Sequence, residues 1–337
     1  MASSVATPES LPSRGKIGII GSGLIGRSWT LIFISAGYNV TIFDIEQSQL
    51  SSALVDIDKQ LVELQKSGLL RGTLTPEQQK ALVSVTSDMK EAVTGSLHIQ
   101  ECVPENEALK KKVFAEIEQF ANDATVLCSS TSCIVPSKFT EHLKRRSQCI
   151  VAHPVNPPYY CPLVEIVPSP WTEQSVISRT RTLLEEVGQV PVTVKREVDG
   201  FALNRLQYAI INEAWRLVAD GVMSPEDVDK VFTAGLGMRY AFCGPFEVIH
   251  LNAEGTASYL ERYGSTIERV TSTFGPSPTF TGQAYNAVVS DSNAHYPLDK
   301  LQEIRQWRDA RLVALAKLKK DLEPQKPLQY LHCASGK

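Results

Sequence analysis

Apolar residues fall along this chain in two rhythms, and the change from one to the other near residue 197 divides it. Between Lys16 and about Val194, short runs rich in β-branched residues recur as KIGIIG, NVTIFD, HIQEC, TVLCSS, QCIVAH, LVEIVP and VPVTV. Each has the length and composition of a buried or half-buried strand. The stretches between them, such as Leu24–Ser35, Gln47–Ser67, Glu107–Phe120 and Thr172–Val187, read as helices. Strand and helix in alternation predict a parallel sheet covered on both faces.

After Val194 the strand pattern stops. Gly200–Ala219 carries Leu203, Leu206, Ile210, Ala214, Leu217 and Val218 at helical spacing. Ser224-Pro225 opens another helix, with a capping serine and a proline in the first turn. Further helices are predicted over Glu254–Ser272 and Leu301–Leu322. The expected architecture is α/β: an N-terminal doubly wound sheet of the Rossmann type over 16–197, followed by an all-α C-terminal domain over 198–325. Residues 1–15 and 326–337 read as tails, the first of them disordered. The Leu and Ile density of the helical domain suits burial against a second copy, predicting a homodimer, although an intrachain core gives the same pattern.

Composition narrows the function. Hydrophobic residues are 43% and charged residues 21%, the balance of a soluble globular protein. A net charge of −3 offers no basic excess for phosphates, so no nucleic-acid partner is expected. No apolar run reaches the roughly 18 residues of a membrane span. The N-terminal residues lack a secretory apolar stretch, and Ser335-Gly336-Lys337 is no peroxisomal address. Seven cysteines, without a C-x-x-C pair, fit reduced thiols in the cytoplasm rather than disulfides or a metal site, and Cys128 and Cys133 read as small buried residues.

Chemistry enters at Gly21-Ser22-Gly23-Leu24-Ile25-Gly26, which follows one apolar strand and opens an apolar helix. The first glycine permits a tight turn, the second lets backbone approach a pyrophosphate, and the third allows helix to pack on strand. The pattern alone is weak, but Asp44 ends the next strand, where an acid accepts from the adenosine ribose hydroxyls. That carboxylate repels a 2′-phosphate, and Ile45-Glu46-Gln47 holds no base to receive one. NAD is therefore expected over NADP.

His153 follows the strand Gln148–Ala152, where parallel sheets place their ligand crevice. Oxidising an alcohol by hydride removal needs a group to take the hydroxyl proton, and an imidazole suits this near neutral pH. A histidine taken alone is more often structural. Glu165 changes that balance, because a carboxylate inside an apolar strand needs a partner, and a carboxylate orients and charges an imidazole well. Ser129-Ser130-Thr131-Ser132 follows the strand Thr125–Cys128, again at a carboxyl end, and a hydroxyl there and the amide of Asn204, one turn into the first helix beyond the boundary, are candidates to hold the substrate oxygen. Strand-ending serines and helix-start asparagines are also ordinary.

These residues, with the blocks HIQECVPE, SSTSC, IVAHPVNPPYYCPLVEIVP, GFALNRLQYAIINEAWRLV and GLGMRYAFCGPFE, resemble the 3-hydroxyacyl-CoA dehydrogenase family, most closely its lambda-crystallin branch of L-gulonate 3-dehydrogenases. The resemblance runs from about Lys16 to Leu322. It implies NAD-dependent oxidation of L-gulonate to 3-dehydro-L-gulonate. His153 would be the base, Glu165 its partner, Ser132 and Asn204 the substrate contacts, and Asp44 the ribose acid. On resemblance alone, Glu105 and Lys110 contact the cofactor. Pro154 stands where the acyl-CoA enzymes carry an aromatic residue, which points away from a CoA thioester. Arg239 is the candidate for a free substrate carboxylate, with a helix-terminal surface arginine as its plain alternative. A short-chain 3-hydroxyacyl-CoA dehydrogenase, or a crystallin-like structural protein retaining NADH binding, are the competing readings.

Overall fold

The computed structural model describes residues 14–322; nearly all of the tail 1–15, the last residues of the predicted helical domain and the tail 326–337 lie outside it. From Lys16 to Thr193 strands and helices alternate. They are β1 Lys16–Ile20, α1 Leu24–Ser35, β2 Asn39–Phe43, α2 Gln47–Lys66, α3 Pro76–Lys80, β3 Val83–Thr86, α4 Met89–Val93 and β4 Ser96–Glu101. There follow α5 Glu107–Phe120, β5 Val126–Ser129, α6 Ser137–Thr140, β6 Cys149–Pro154, β7 Leu163–Pro168, α7 Gln174–Glu186 and β8 Val190–Thr193. The strands form one sheet in the order β3-β2-β1-β4-β5-β6-β7-β8.

Two features differ from the sequence expectation. Val83–Thr86 is an additional edge strand beside β2. Its alternating Val-Ser-Val-Thr contains no apolar run, because an edge strand is not enclosed like the central ones. The second difference is direction: β7 pairs antiparallel with β6, so β7 and β8 run against the other six strands. The cause is connection length, since a parallel crossover needs a dozen or more residues and residues 155–162 provide only a short return.

Both faces of the sheet are buried. Ile17 and Ile19 pack on one side with Trp29, Phe33 and Ile42, while Ile20 joins Phe43, Phe114 and Phe139 on the other. Successive β-strand side chains point to opposite faces, so one strand feeds both cores. The strand order reverses at β1 and β4, leaving a crevice beyond their carboxyl ends where open α/β sheets bind ligands.

The described chain divides after Asn204. Residues up to that point and those from Ala310 on form one unit, and Arg205–Asp309 forms the other. The second unit is helical, with most of α8 Leu203–Ala219, then α9 Pro225–Lys230, α10 Gly237–Tyr240, α11 Pro245–Leu251, α12 Thr256–Thr271, α13 Gly282–His295 and the start of α14 Leu301–Leu322. Ser224 caps α9 by accepting from the Asp227 N–H at 3.1 Å. No described helix is long and apolar enough to cross a membrane.

The join of β1 to α1 depends on close backbone approach. A Cβ at Gly26 would lie 2.0 Å from the Gly21 carbonyl oxygen, which belongs to backbone and cannot swing aside. Replacing Gly26 with Ala is expected to destabilise the sheet unit by about 2 kcal/mol, in the range of core overpacking, and to weaken NADH binding with it. Denaturant unfolding and fluorescence titration check this, and wild-type stability with wild-type affinity would refute it.

Candidate active site

At the crevice, Gly21 sits at φ 107°, a conformation that favours glycine, and its N–H donates to the Phe43 carbonyl at 2.8 Å. Gly23 caps α1 without a side-chain hydrogen bond, and a Cβ there would meet nothing within 4 Å. The turn therefore leaves open space in front of uncapped helix N–H groups, a setting suited to a pyrophosphate. Asp44 stands beside it. Its Oδ2 accepts from the Ser22 N–H at 2.9 Å and the Ser22 hydroxyl at 2.6 Å, and its Oδ1 accepts from the Glu46 N–H at 3.1 Å. Partial burial opposes the charge, but these hydrogen bonds prevail and hold the carboxyl below the usual range. The open turn, the helix terminus and an ionised acid at the ribose position fit a dinucleotide.

His153 lies within β6 rather than after it, directly opposite Glu165 on β7. Because that pairing is antiparallel, the tight return brings residues twelve apart face to face, and His153 Nδ1 meets Glu165 Oε2 at 2.8 Å. Both side chains are buried, Glu165 almost completely. Glu165 Oε1 accepts from the Ala202 and Leu203 N–H groups, each at 2.8 Å. Burial opposes the Glu165 charge, but the hydrogen bonds from His153, Leu203 and Ala202 outweigh it, and its pKa lies below the ordinary carboxylate value. A carboxylate at a helix N-terminus is itself favourable, by up to about 2 kcal/mol when partly buried.

Phe201 delivers those two N–H groups. It adopts φ 52°, uncommon for a residue with a side chain, and its fully buried ring lies 5.6 Å from the His153 ring. Asn204 follows, and its Nδ2 donates to the Ser132 carbonyl at 2.7 Å and to Cys133 Sγ at 3.4 Å. The four candidates from residues 132, 153, 165 and 204 are thus joined: His153 to Glu165, Glu165 to the start of α8, and α8 through Asn204 to the Ser132 loop.

The hydroxyls of 129–132 sort themselves. Ser129 donates to Glu101 Oε2 at 2.5 Å. Ser130 accepts from Gln100 Nε2 at 2.7 Å and Trp29 Nε1 at 3.1 Å. Thr131 donates to Glu105 Oε1 at 2.5 Å, and the same oxygen accepts from the Ser132 and Cys133 N–H groups. Three hydroxyls hold the loop, while Ser132 is exposed and its hydroxyl makes no bond to another described side chain. Lys110 is 1% exposed, with Nζ 2.9 Å from Glu101 Oε1 and 3.6 Å from Glu105 Oε2. In this geometry Lys110 braces two carboxylates, and Glu105 clasps the loop that presents Ser132. Arg239 lies exposed on α10 of the helical unit.

Glu101 and Phe201 belong to this framework, and the sequence reading did not single them out. Glu101 ends a strand that also carries Ser96, His98 and Gln100, so it lacked the apolar contrast that raised Glu165. Phe201 carried no signal, since its backbone conformation is a tertiary outcome.

Residues 16–198 match the model of the 3-hydroxyacyl-CoA dehydrogenase NAD-binding domain, and residues 200–280 match that family's C-terminal domain. A lambda-crystallin homolog from Rattus norvegicus is 52% identical over 93% of this chain and 99% of its own. An L-carnitine dehydrogenase from Bacillus cereus is 33% identical over 90% of this chain and 92% of its own. Among solved structures, 5-formyl-3-hydroxy-2-methylpyridine 4-carboxylic acid 5-dehydrogenase, an NAD+-dependent dismutase, superposes with a TM-score of 0.78 at 26% identity, over 90% of this chain and 98% of that one. With a nucleotide turn, a paired imidazole and matches to both family domains, the chain belongs to the 3-hydroxyacyl-CoA dehydrogenase family, and its sheet unit is that family's NAD-binding domain.

Proposed function

We propose that this protein oxidises the C3 hydroxyl of L-gulonate, giving 3-dehydro-L-gulonate and NADH. The observation that carries the reading is the buried His153–Glu165 pair, at 2.8 Å, on the sheet that also bears the nucleotide turn. Bound NAD supplies the hydride acceptor. Glu165 holds Nδ1 of His153 and leaves Nε2 as the ring nitrogen that receives the hydroxyl proton. As that proton arrives, the ionised carboxylate stabilises the imidazolium. Ser132 donates to or accepts from the reacting oxygen. Asn204 fixes the Ser132 loop through its Nδ2 and keeps its Oδ1 for a substrate hydroxyl.

A free 3-hydroxy acid is favoured over a CoA thioester by Pro154 beside the base and by the relatives. The chain matches lambda-crystallins along nearly its whole length, and the named L-carnitine dehydrogenases act on a free 3-hydroxy carboxylate. Arg239 is the cation assigned to that carboxylate, through a bidentate pair.

The protein is further proposed to act as a homodimer. Among the described residues of Arg205–Asp309, Val228 alone is a buried hydrophobic, whereas Leu206, Met238, Phe246 and Leu251 are each more than 60% exposed. A unit of this length with so little interior needs another surface to close it, and a second copy presents the same apolar set.

Gln at position 153 keeps a hydrogen bond to Glu165 but cannot take a proton. His153→Gln is expected to lower kcat by roughly 10²–10⁴-fold while the NADH dissociation constant stays near wild type, and near-normal turnover would end the assignment. Side-by-side assays should show turnover of L-gulonate and little of 3-hydroxybutyryl-CoA. Arg239→Ala should then raise KM for the acid far more than for a neutral analogue. Preference for the thioester would replace the substrate reading, and equal KM effects would remove the role of Arg239. Sedimentation equilibrium is expected to report twice the 37.1 kDa chain mass at micromolar concentration, and a monomer would contradict the dimer.

A further inference from the structure

Asp44 is bound by more groups than a ribose-binding acid requires. A carboxylate offers about four lone-pair positions. Two on Oδ2 are taken by the Ser22 N–H and hydroxyl, and one on Oδ1 by the Glu46 N–H. The Ile45 N–H also donates to this carboxylate. The Ser22 hydroxyl contact, at 2.6 Å, has the short length of a charge-assisted hydrogen bond. Ser22 itself is fully buried, so it reaches the nucleotide site through Asp44 and not by its own exposed surface.

We propose that Ser22 is a positioning residue that sets dinucleotide choice: it locks the Asp44 carboxylate over the glycine turn, so that the acid cannot turn aside for a 2′-phosphate. An acid free to rotate could swing into water and admit the phosphate at modest cost. Held on Oδ2 by a hydroxyl and an N–H, it must break a charge-assisted bond to move. Discrimination then depends on the restraint as well as on the charge. The N–H half is supplied by any residue at position 22, whereas the hydroxyl half is supplied by serine. This inference rests on the NAD-binding reading of the sheet unit and is independent of the substrate.

The test is fluorescence titration of NADH and NADPH, with no substrate present, for wild type, Ser22→Ala, Asp44→Ala and the double variant. Failure of the L-gulonate reading leaves the measurement intact. Ser22→Ala is expected to reduce the ratio of NADPH to NADH dissociation constants by about tenfold, the scale of one hydrogen bond to a charged group. In the Asp44→Ala background the same substitution should change the ratio less than twofold, because no carboxylate remains to be held. Ser22→Cys, nearly isosteric with a weak donor, guards against a packing defect and should also lower the ratio. A change below threefold in Ser22→Ala, or an equal change with and without Asp44, overturns the proposal.

Discussion

The Glu165 carboxylate is the point on which the site depends. One oxygen meets His153 and the other receives two N–H groups from the start of α8, so a single buried charge ties a hairpin of the sheet to the first turn of the next helix. A buried carboxylate without such partners would be costly, and the partners are what allow it to remain ionised beside the imidazole. Removing the helix contacts would loosen the histidine, and removing the histidine would leave the carboxylate facing an apolar interior. Each element thus accounts for the position of the others.

The loop after β5 is fixed by a different means. The buried Glu101–Lys110 pair leads out to the exposed Glu105, whose Oε1 clasps residues 131–133, and Asn204 also bonds this loop. The lysine offsets two carboxylates that would otherwise repel each other at the ends of neighbouring segments. A loop tied by three hydroxyls and one amide holds its remaining hydroxyl in a defined place, which is what binding a reacting oxygen demands.

Much of this was legible before the structure. The apolar runs located seven of the eight strands, the glycine turn and Asp44 pointed to a nucleotide site, and a histidine at a strand end with a carboxylate in an apolar strand singled out His153 and Glu165. Val83–Thr86 escaped because an edge strand does not need a continuous apolar pattern. The reversal of β7 escaped because strand composition carries no direction. Lys110 shows the converse case: a lysine on a helix carries no local sign of burial, and its burial goes with its ion pair to Glu101.

What the sequence determined by itself is therefore local: which segments form strands or helices, where a turn demands glycine, and which polar residues stand in apolar company. Those are properties of a residue and its near neighbours. Tertiary structure alone decided that residues twelve apart stand opposite each other, that Phe201 takes a left-handed conformation to aim two N–H groups at Glu165, and that Ser132 keeps its hydroxyl when its three neighbours do not. The reason is physical: hydrogen bonds between distant segments depend on register and chain direction, which arise only when the whole sheet closes over its two cores.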